Sequence, residues 1–224
     1  AHQRGLRVVM DRLLNHTSDQ HPWFQASRQD PAGPYGDFYV WADDDTAHAD
    51  VPVVFCDTES SNWTYDEVRG QYYWHRFFAH QPDLNYDNPR VREHMLEVLR
   101  FWLERGVDGF RLDAVPYLYV QDGTSCAHLP QTHAFLKEVR AVVDRDFPGR
   151  VLLAEANGSS EEVAGYFGDG DECQLVMHFP LMPQLFLAVA AEWAQPISEV
   201  LAATPEPPPG CSWGSSPVPA STGC

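Results

Sequence analysis

Cysteine, cationic side chains and long apolar runs are all scarce in this sequence, and each scarcity closes off a class of protein. Cysteine occurs five times, at 56, 126, 173, 211 and 224, widely spaced and with no Cys-x-x-Cys pair. An odd, scattered set of that kind argues against a disulfide framework and for reduced thiols in a cytoplasm. Only 15 Lys and Arg stand against 32 Asp and Glu, a formal charge of -17. Such a surface repels phosphate backbones and anionic lipid, so neither nucleic acid nor a membrane is expected as a partner. No apolar run approaches the ~18 residues of a membrane span. The opening AHQRGLRVVMD has neither a secretory layout nor an initiator Met, and it enters a strand almost at once. The expectation is a chain that begins partway through a longer cytoplasmic protein. The Asn-x-Ser/Thr sequons at Asn15, Asn62 and Asn157 then read as chance or structural.

What is present is the material of a globular α/β protein. Of 224 residues, 44% are hydrophobic and 12% aromatic, enough for a sizeable core. Apolar runs at 6–11, 107–113, 150–155 and 174–179 read as strands. Helices are expected at 90–105, 133–146, near 160–167 and near 183–193. Asn88-Pro89 supplies an N-cap and a first-turn proline for the first of these, and Gly106 ends it. Thr132 is the expected cap of the second. Strands alternating with helices predict a parallel sheet with crossover helices. Residues 17–88 interrupt the pattern. They hold 15 of the 28 Phe, Trp and Tyr residues without a sustained helical period, and read as an inserted subdomain of loops and short strands.

Four strands close on polar residues: Asp11, Asp113, Glu155 and His178. In barrels and doubly wound sheets the C-terminal strand ends carry the function, so four such endings point to one assembled site. The stretch GVDGFRLDAV (106–115) sharpens the point, because Arg111 and Asp113 share one face of an otherwise apolar strand. Alone, an Arg-x-Asp pair is most often a structural ion pair. With Glu155 closing the next strand, the two carboxylates can flank one bond, as retaining glycoside hydrolysis requires. Arg111 would hold Asp113 ionised, while the apolar setting LLAEA raises the pKa of Glu155 and suits a proton donor.

The ordered set DRLLNHTSD, QPDLNYDNP, GFRLDAVPYL and LLAEAN resembles the α-amylase superfamily of (β/α)8-barrel glycosidases and transglycosidases, glycoside hydrolase family 13. HTSDQHPWF, GQYYWHRFF, THAFLKEVRAVVD, GDGDEC and HFPLMP resemble its trehalose synthase branch, enzymes that interconvert maltose and trehalose. The resemblance implies a partial (β/α)8 barrel: strand 3 in 1–16, an inserted subdomain B in 17–88, helices and strands 4–6 in 89–204. It implies Asp113 as nucleophile and Glu155 as acid/base, with Arg111, His16 and Asp11 at the sugar. It also implies calcium, and no organic cofactor, on Asn15, Asp83 and the carbonyls of Tyr117 and Leu118. Where the family has a further acidic ligand this chain has Val120 and Gln121. The implied partners are maltose, trehalose or short α-glucosides, with a homo-oligomer of the full-length protein left open. The aromatics of 17–88 would be partly core and partly sugar-stacking, Trp23, Tyr39 and Trp74 without assigned ligands, His80 and His133 structural.

Two readings compete with the synthase: a hydrolase of the same superfamily, and a non-catalytic remnant. The family uses a third carboxylate in an Asn-His-Asp segment after a Trp-Gly like Trp213-Gly214. Here the last aspartate is Asp171, and SSPVPASTGC follows Gly214. The expectation is therefore a fragment, inactive by itself, with an altered reading frame after Gly214 and a disordered tail from Pro205.

Overall fold

The computed structural model describes residues 1–214. In chain order its strands are β1 (Val9–Leu13), β2 (Trp41–Ala42), β3 (Trp63–Asp66), β4 (Gln71–Trp74), β5 (Gly109–Asp113), β6 (Val151–Ala154), β7 (Leu175–Met177) and β8 (Ser212–Gly214). The helices are α1 (Pro22–Gln29), α2 (Pro89–Glu104), α3 (Pro130–Asp146), α4 (Ser160–Ala164), α5 (Leu181–Ala191) and α6 (Gln195–Ala202). They fall into two compact units. One takes 1–12, 105–113 and the described residues from His133; the other takes 13–104 and 114–132.

The first unit is built on a five-stranded sheet in the order β1-β5-β6-β7-β8, with the pairs from β5 to β8 parallel. Strand pleat explains the charged pair within the apolar stretch GVDGFRLDAV. Along β5, Phe110 and Leu112 point to one face and are fully buried, whereas Arg111 and Asp113 point to the other and are only part-buried. The register pairs Phe110 with Leu152, Arg111 with Leu153 and Leu112 with Ala154. Its continuation sets Asp113 beside Glu155, whose N–H donates to the Leu112 carbonyl at 3.0 Å.

At its entry β5 is tied down by another carboxylate. Asp108, buried in the fold, accepts from the Val8 N–H at 2.8 Å, from Arg7 and Arg150 at 2.9 Å each, and from His2 at 2.6 Å. The Val8 N–H first, then Arg7 and His2, holds its pKa far below the usual carboxylate range. Gly109 follows because nothing larger fits: a Cβ there would lie 2.4 Å from the Val151 carbonyl oxygen.

The tail expectation needs correction. Residues 212–214 are not disordered but form β8, a fifth sheet strand where four were foreseen, registered against Leu175, Val176 and Met177 of β7. Pro, Gly and Ser do suppress local structure around it. Trp213 overrides them, packing edge-on against Phe167 at 5.0 Å and donating its indole N–H to the Pro205 carbonyl at 3.0 Å. The expected reading-frame change lies in 215–224, outside the described residues. Helix α3 also begins earlier than foreseen, with Pro130 in its first turn and Thr132 buried inside it.

The second unit contains a three-stranded antiparallel sheet ordered β2-β4-β3. Its aromatics are mostly core: Phe24, Phe38, Tyr39 and Trp74 are at most 2% exposed. Phe24 meets Tyr39 edge-on at 5.0 Å and stacks on Trp41 at 5.5 Å. Helix α1, which the sequence reading missed, starts at Pro22 and is capped by His21 Nδ1 accepting the Trp23 N–H at 3.2 Å. The Asn88 cap of α2 is present, accepting the Arg90 N–H at 2.9 Å.

Replacing Gly109 with alanine forces β5 and β6 apart, so Gly109→Ala should cost about 1–3 kcal/mol, the usual range for overpacking. An unchanged urea midpoint would contradict this close approach.

Candidate active site

On the first unit one guanidinium meets three carboxylates. Arg111 Nη1 lies 2.5 Å from Asp11 Oδ1 and 2.8 Å from Asp113 Oδ1, while its Nη2 lies 2.5 Å from Glu155 Oε2. Each position follows from local structure. Asp11 projects from the middle of the outer strand β1 and stays largely exposed. Asp113 ends β5, and the chain then turns abruptly through Ala114, which adopts φ 52, a left-handed conformation uncommon outside glycine. Glu155 sits one residue beyond β6. Neighbouring strands stand about 4.8 Å apart, so same-level carboxylates on one face have the spacing retaining chemistry uses, about 5–5.5 Å.

The electrostatics single out Glu155. Burial raises the Glu155 pKa to about 7, helped by a hydrogen bond and the like charge from Asp113, with Arg111 pulling the other way. Glu155 therefore holds a proton near neutrality beside a carboxylate clamped by a cation. For Arg111, burial acts to lower the pKa. The hydrogen bond it donates to Asp11 and the charges of Glu155, Asp11 and Asp113 outweigh it and raise the value, so the clamp stays cationic.

His178, the fourth polar strand ending, does not join them. Its Nε2 pairs with Thr204 Oγ1 at 2.7 Å, its Nδ1 accepts the Leu181 N–H at 3.2 Å, and its ring packs on Trp213 at 4.7 Å. It caps the start of α5. His133 likewise holds Glu172 at 2.9 Å, and His80 stacks on Phe78.

His16 and the four expected metal ligands lie in the second unit. His16 is buried and bridges Asp83 in an antiparallel pairing, and the Leu84 N–H donates to the Asn15 carbonyl at 2.9 Å. Asn15 and Asp83 are thereby neighbours, 1% and 2% exposed. Asn15 Oδ1 and both Asp83 oxygens find no donor in good hydrogen-bonding geometry. Burial drives the Asp83 pKa up to about 8, offset only in part by the Arg76 backbone N–H and the Asn15 amide. An unmatched buried carboxylate calls for a proton or a cation. A carboxylate, an amide oxygen and backbone carbonyls form a hard-oxygen set that fits calcium. Tyr117 closes a 3-10 turn at Val115–Tyr117 and Leu118 follows it. Val120 instead packs with the apolar cluster of Val51, Trp63, Trp74 and Cys126. No group of three or more His, Cys, Asp and Glu suited to a metal occurs among the described residues.

The sequence reading did not single out Phe77. Its ring meets His16 edge-on at 5.5 Å and Tyr117 at 5.6 Å, while Phe78 stacks on Phe55 at 4.3 Å. All three phenylalanines are half-buried rather than core. The available signal was the polar-flanked pair in WHRFFAH.

Residues 1–201 match the family of the alpha amylase catalytic domain. The chain belongs to the α-amylase family. It is 61% identical over 218 residues to the trehalose synthase/amylase TreS of Mycolicibacterium smegmatis, covering 96% of this chain and 37% of that protein. It is 58% identical to a trehalose synthase of Pimelobacter sp., covering 96% and 39%. Among solved structures, the α-glucosyl transfer enzyme XgtA superposes with a TM-score of 0.73 at 32% identity, over 92% of this chain and 44% of that one. A variant of the trehalulose synthase MutB gives 0.76 at 31%, over 90% and 40%. The chain thus spans well under half the length of the relatives it matches. No described helix is long and apolar enough to cross a membrane.

The raised Glu155 pKa carries a stability consequence. Its folded pKa lies above the unfolded value, so the native state binds more protons between about 4.5 and about 7 and loses stability as pH rises through that window. Glu155→Gln removes the loss. Below about pH 4.5 the variant should match the parent on this account. Above about pH 7 it should be more stable, by on the order of 1 kcal/mol after solvent screening. Paired urea titrations at the two pH extremes check the sign.

Proposed function

We propose that this chain supplies the nucleophile and acid/base half of a retaining α-glucosyl-transfer site, acting in its full-length protein on maltose and trehalose. The observation that carries the reading is the single guanidinium shared by Asp113 and Glu155, with burial holding the Glu155 pKa up to about 7. Glu155 gives its proton to the glycosidic oxygen while Asp113 attacks the anomeric carbon, breaking the acetal bond and forming a glucosyl ester. The freed glucose, turned in place, then attacks that ester through its anomeric hydroxyl. Glu155 takes the hydroxyl proton, the bond to Asp113 breaks, and trehalose forms. Water in place of glucose gives hydrolysis, so exclusion of water decides the product. Arg111 and Asp11 orient the cleavage subsite. The names of the 61% and 58% identical relatives, trehalose synthase/amylase and trehalose synthase, support trehalose as one of the pair.

Calcium is the ion this reading includes. Asp83 and Asn15 would hold it with the carbonyls of Tyr117 and Leu118, supplying the positive charge that the buried Asp83 carboxylate lacks. The free thiols Cys56, Cys126, Cys173 and Cys211 suit a reducing cytoplasm.

Two outcomes test the proposal. The full-length protein given maltose should release trehalose in excess of glucose, and Asp113→Asn should abolish turnover. Glucose as the sole product would favour the hydrolase reading. Residues 1–224 alone, with no aspartate after Asp171, should not turn over maltose; activity abolished by Asp113→Asn in this chain would refute the need for a third carboxylate.

Calcium should raise the melting temperature, since ligand at about 100 times Kd adds about 2.7 kcal/mol. Asp83→Asn should remove that increment. Melting indifferent to calcium and to a chelator would reject the site.

A further inference from the structure

The loop that follows Glu155 contains a chemistry the glycosyl reaction does not use. Its two ends are fixed. The Glu155 N–H is bonded to the Leu112 carbonyl, and Ser159 opens α4 in a reciprocal capping box with Glu162, donating its own N–H at 2.8 Å. Between them Ala156 is buried, while Asn157 is exposed and Asn157–Gly158 lies in neither helix nor strand. Among the described residues no hydrogen bond engages the Asn157 side chain or the Gly158 N–H.

We propose that Asn157–Gly158 is a self-modification site at which asparagine converts to aspartate and isoaspartate. The Gly158 amide nitrogen attacks the Asn157 side-chain amide carbon, forming a carbon–nitrogen bond and a five-membered succinimide. The side-chain carbon–nitrogen bond breaks, and ammonia leaves with the proton that the backbone nitrogen gives up. Water then opens the ring at either carbonyl, leaving aspartate or isoaspartate. Water is the only co-reactant and nothing is oxidised or reduced.

Glycine is the residue that best permits the attack. It adds no side chain beside the nucleophilic nitrogen and leaves the backbone free to reach the bent geometry. The other four asparagines are each disfavoured. Asn15 is buried and precedes His16. Asn62 is buried, donates to the Val51 carbonyl at 2.9 Å and precedes Trp63. Asn85 donates to the Asp37 carbonyl, accepts the Asp87 N–H and precedes Tyr86. Asn88 caps α2 and precedes Pro89, which has no N–H to give up.

The product is a new negative charge two residues beyond Glu155, and in the isoaspartate form an extra backbone methylene between β6 and α4. If Glu155 is the acid/base, a like charge so close favours its protonated form. The modification itself does not depend on that reading.

The test is to incubate the chain at mildly alkaline pH and map it by peptide mass spectrometry, with enzymatic methylation of isoaspartate as a second readout. The exchange of NH2 for OH should accumulate at Asn157 alone, with Asn15, Asn62, Asn85 and Asn88 unchanged. Gly158→Ala should slow it several-fold, and Asn157→Gln should remove the methylation signal. The folded chain should convert within a few-fold of the rate in concentrated urea. Conversion spread over several asparagines, indifference to Gly158→Ala, or strong protection of Asn157 in the folded chain would overturn the proposal.

Discussion

A single cation against three carboxylates is the constraint on which the rest of the first unit turns. Asp11, Asp113 and Glu155 come from three adjacent strands, and without Arg111 their mutual repulsion in a partly buried setting would push them apart or neutralise more than one of them. With it, all three carboxylates stay within reach of one positive charge. Arg111 approaches Asp113 within 2.8 Å and Glu155 within 2.5 Å, yet the Glu155 pKa is still driven up to about 7 by burial and by Asp113. The sheet converts that arrangement into position. Parallel register places Arg111 level with Leu153 and Asp113 one step further, so pleat and pairing alone deliver both carboxylates to one face.

Position also depends on the far end of the same strand. Asp108 gathers two arginines, a histidine and a backbone N–H, tying residues 2–8, β5 and the start of β6 together. Two carboxylates thus bracket β5 with opposite fates. Asp108 is saturated with donors and has no capacity left for chemistry. Asp113 shares a single guanidinium with two rivals and keeps part of its surface exposed. The difference lies in how many donors each oxygen already has.

Much of this was legible in the sequence, for a physical reason. Alternation along GFRLD separates Phe110 and Leu112 from Arg111 and Asp113 because a strand repeats every two residues, and Glu155 could be aligned with Asp113 because crossover connections keep parallel strands in step. The meeting of Arg111 with Asp113 and Glu155 follows from that alternation, whereas Asp11, expected to end its strand, lies in the middle of β1. His178 obeyed the same strand-end rule yet turned to Thr204 and Leu181, since a histidine can be consumed by local hydrogen bonds that no periodicity reports. Composition failed at 205–214, where one tryptophan secured a strand within a Pro- and Gly-rich stretch. Phe77 was obscured by its surroundings: among so many aromatics of 17–88, core and surface rings share one signature.

Asp83 shows what Asp113 and Glu155 would be without their cation. It is as deeply buried as any acid in the chain, its oxygens lack well-placed donors, and its pKa rises to about 8. Glu155 is less buried and has a guanidinium at 2.5 Å, so it stops near neutrality. Burial alone therefore does not mark a catalytic group here. A guanidinium beside a buried carboxylate limits the shift, whereas a backbone N–H and an amide offset only part of it and leave Asp83 short of positive charge. The same measure, donors per buried oxygen, separates Asp108, the Asp113–Glu155 pair and Asp83 within one chain.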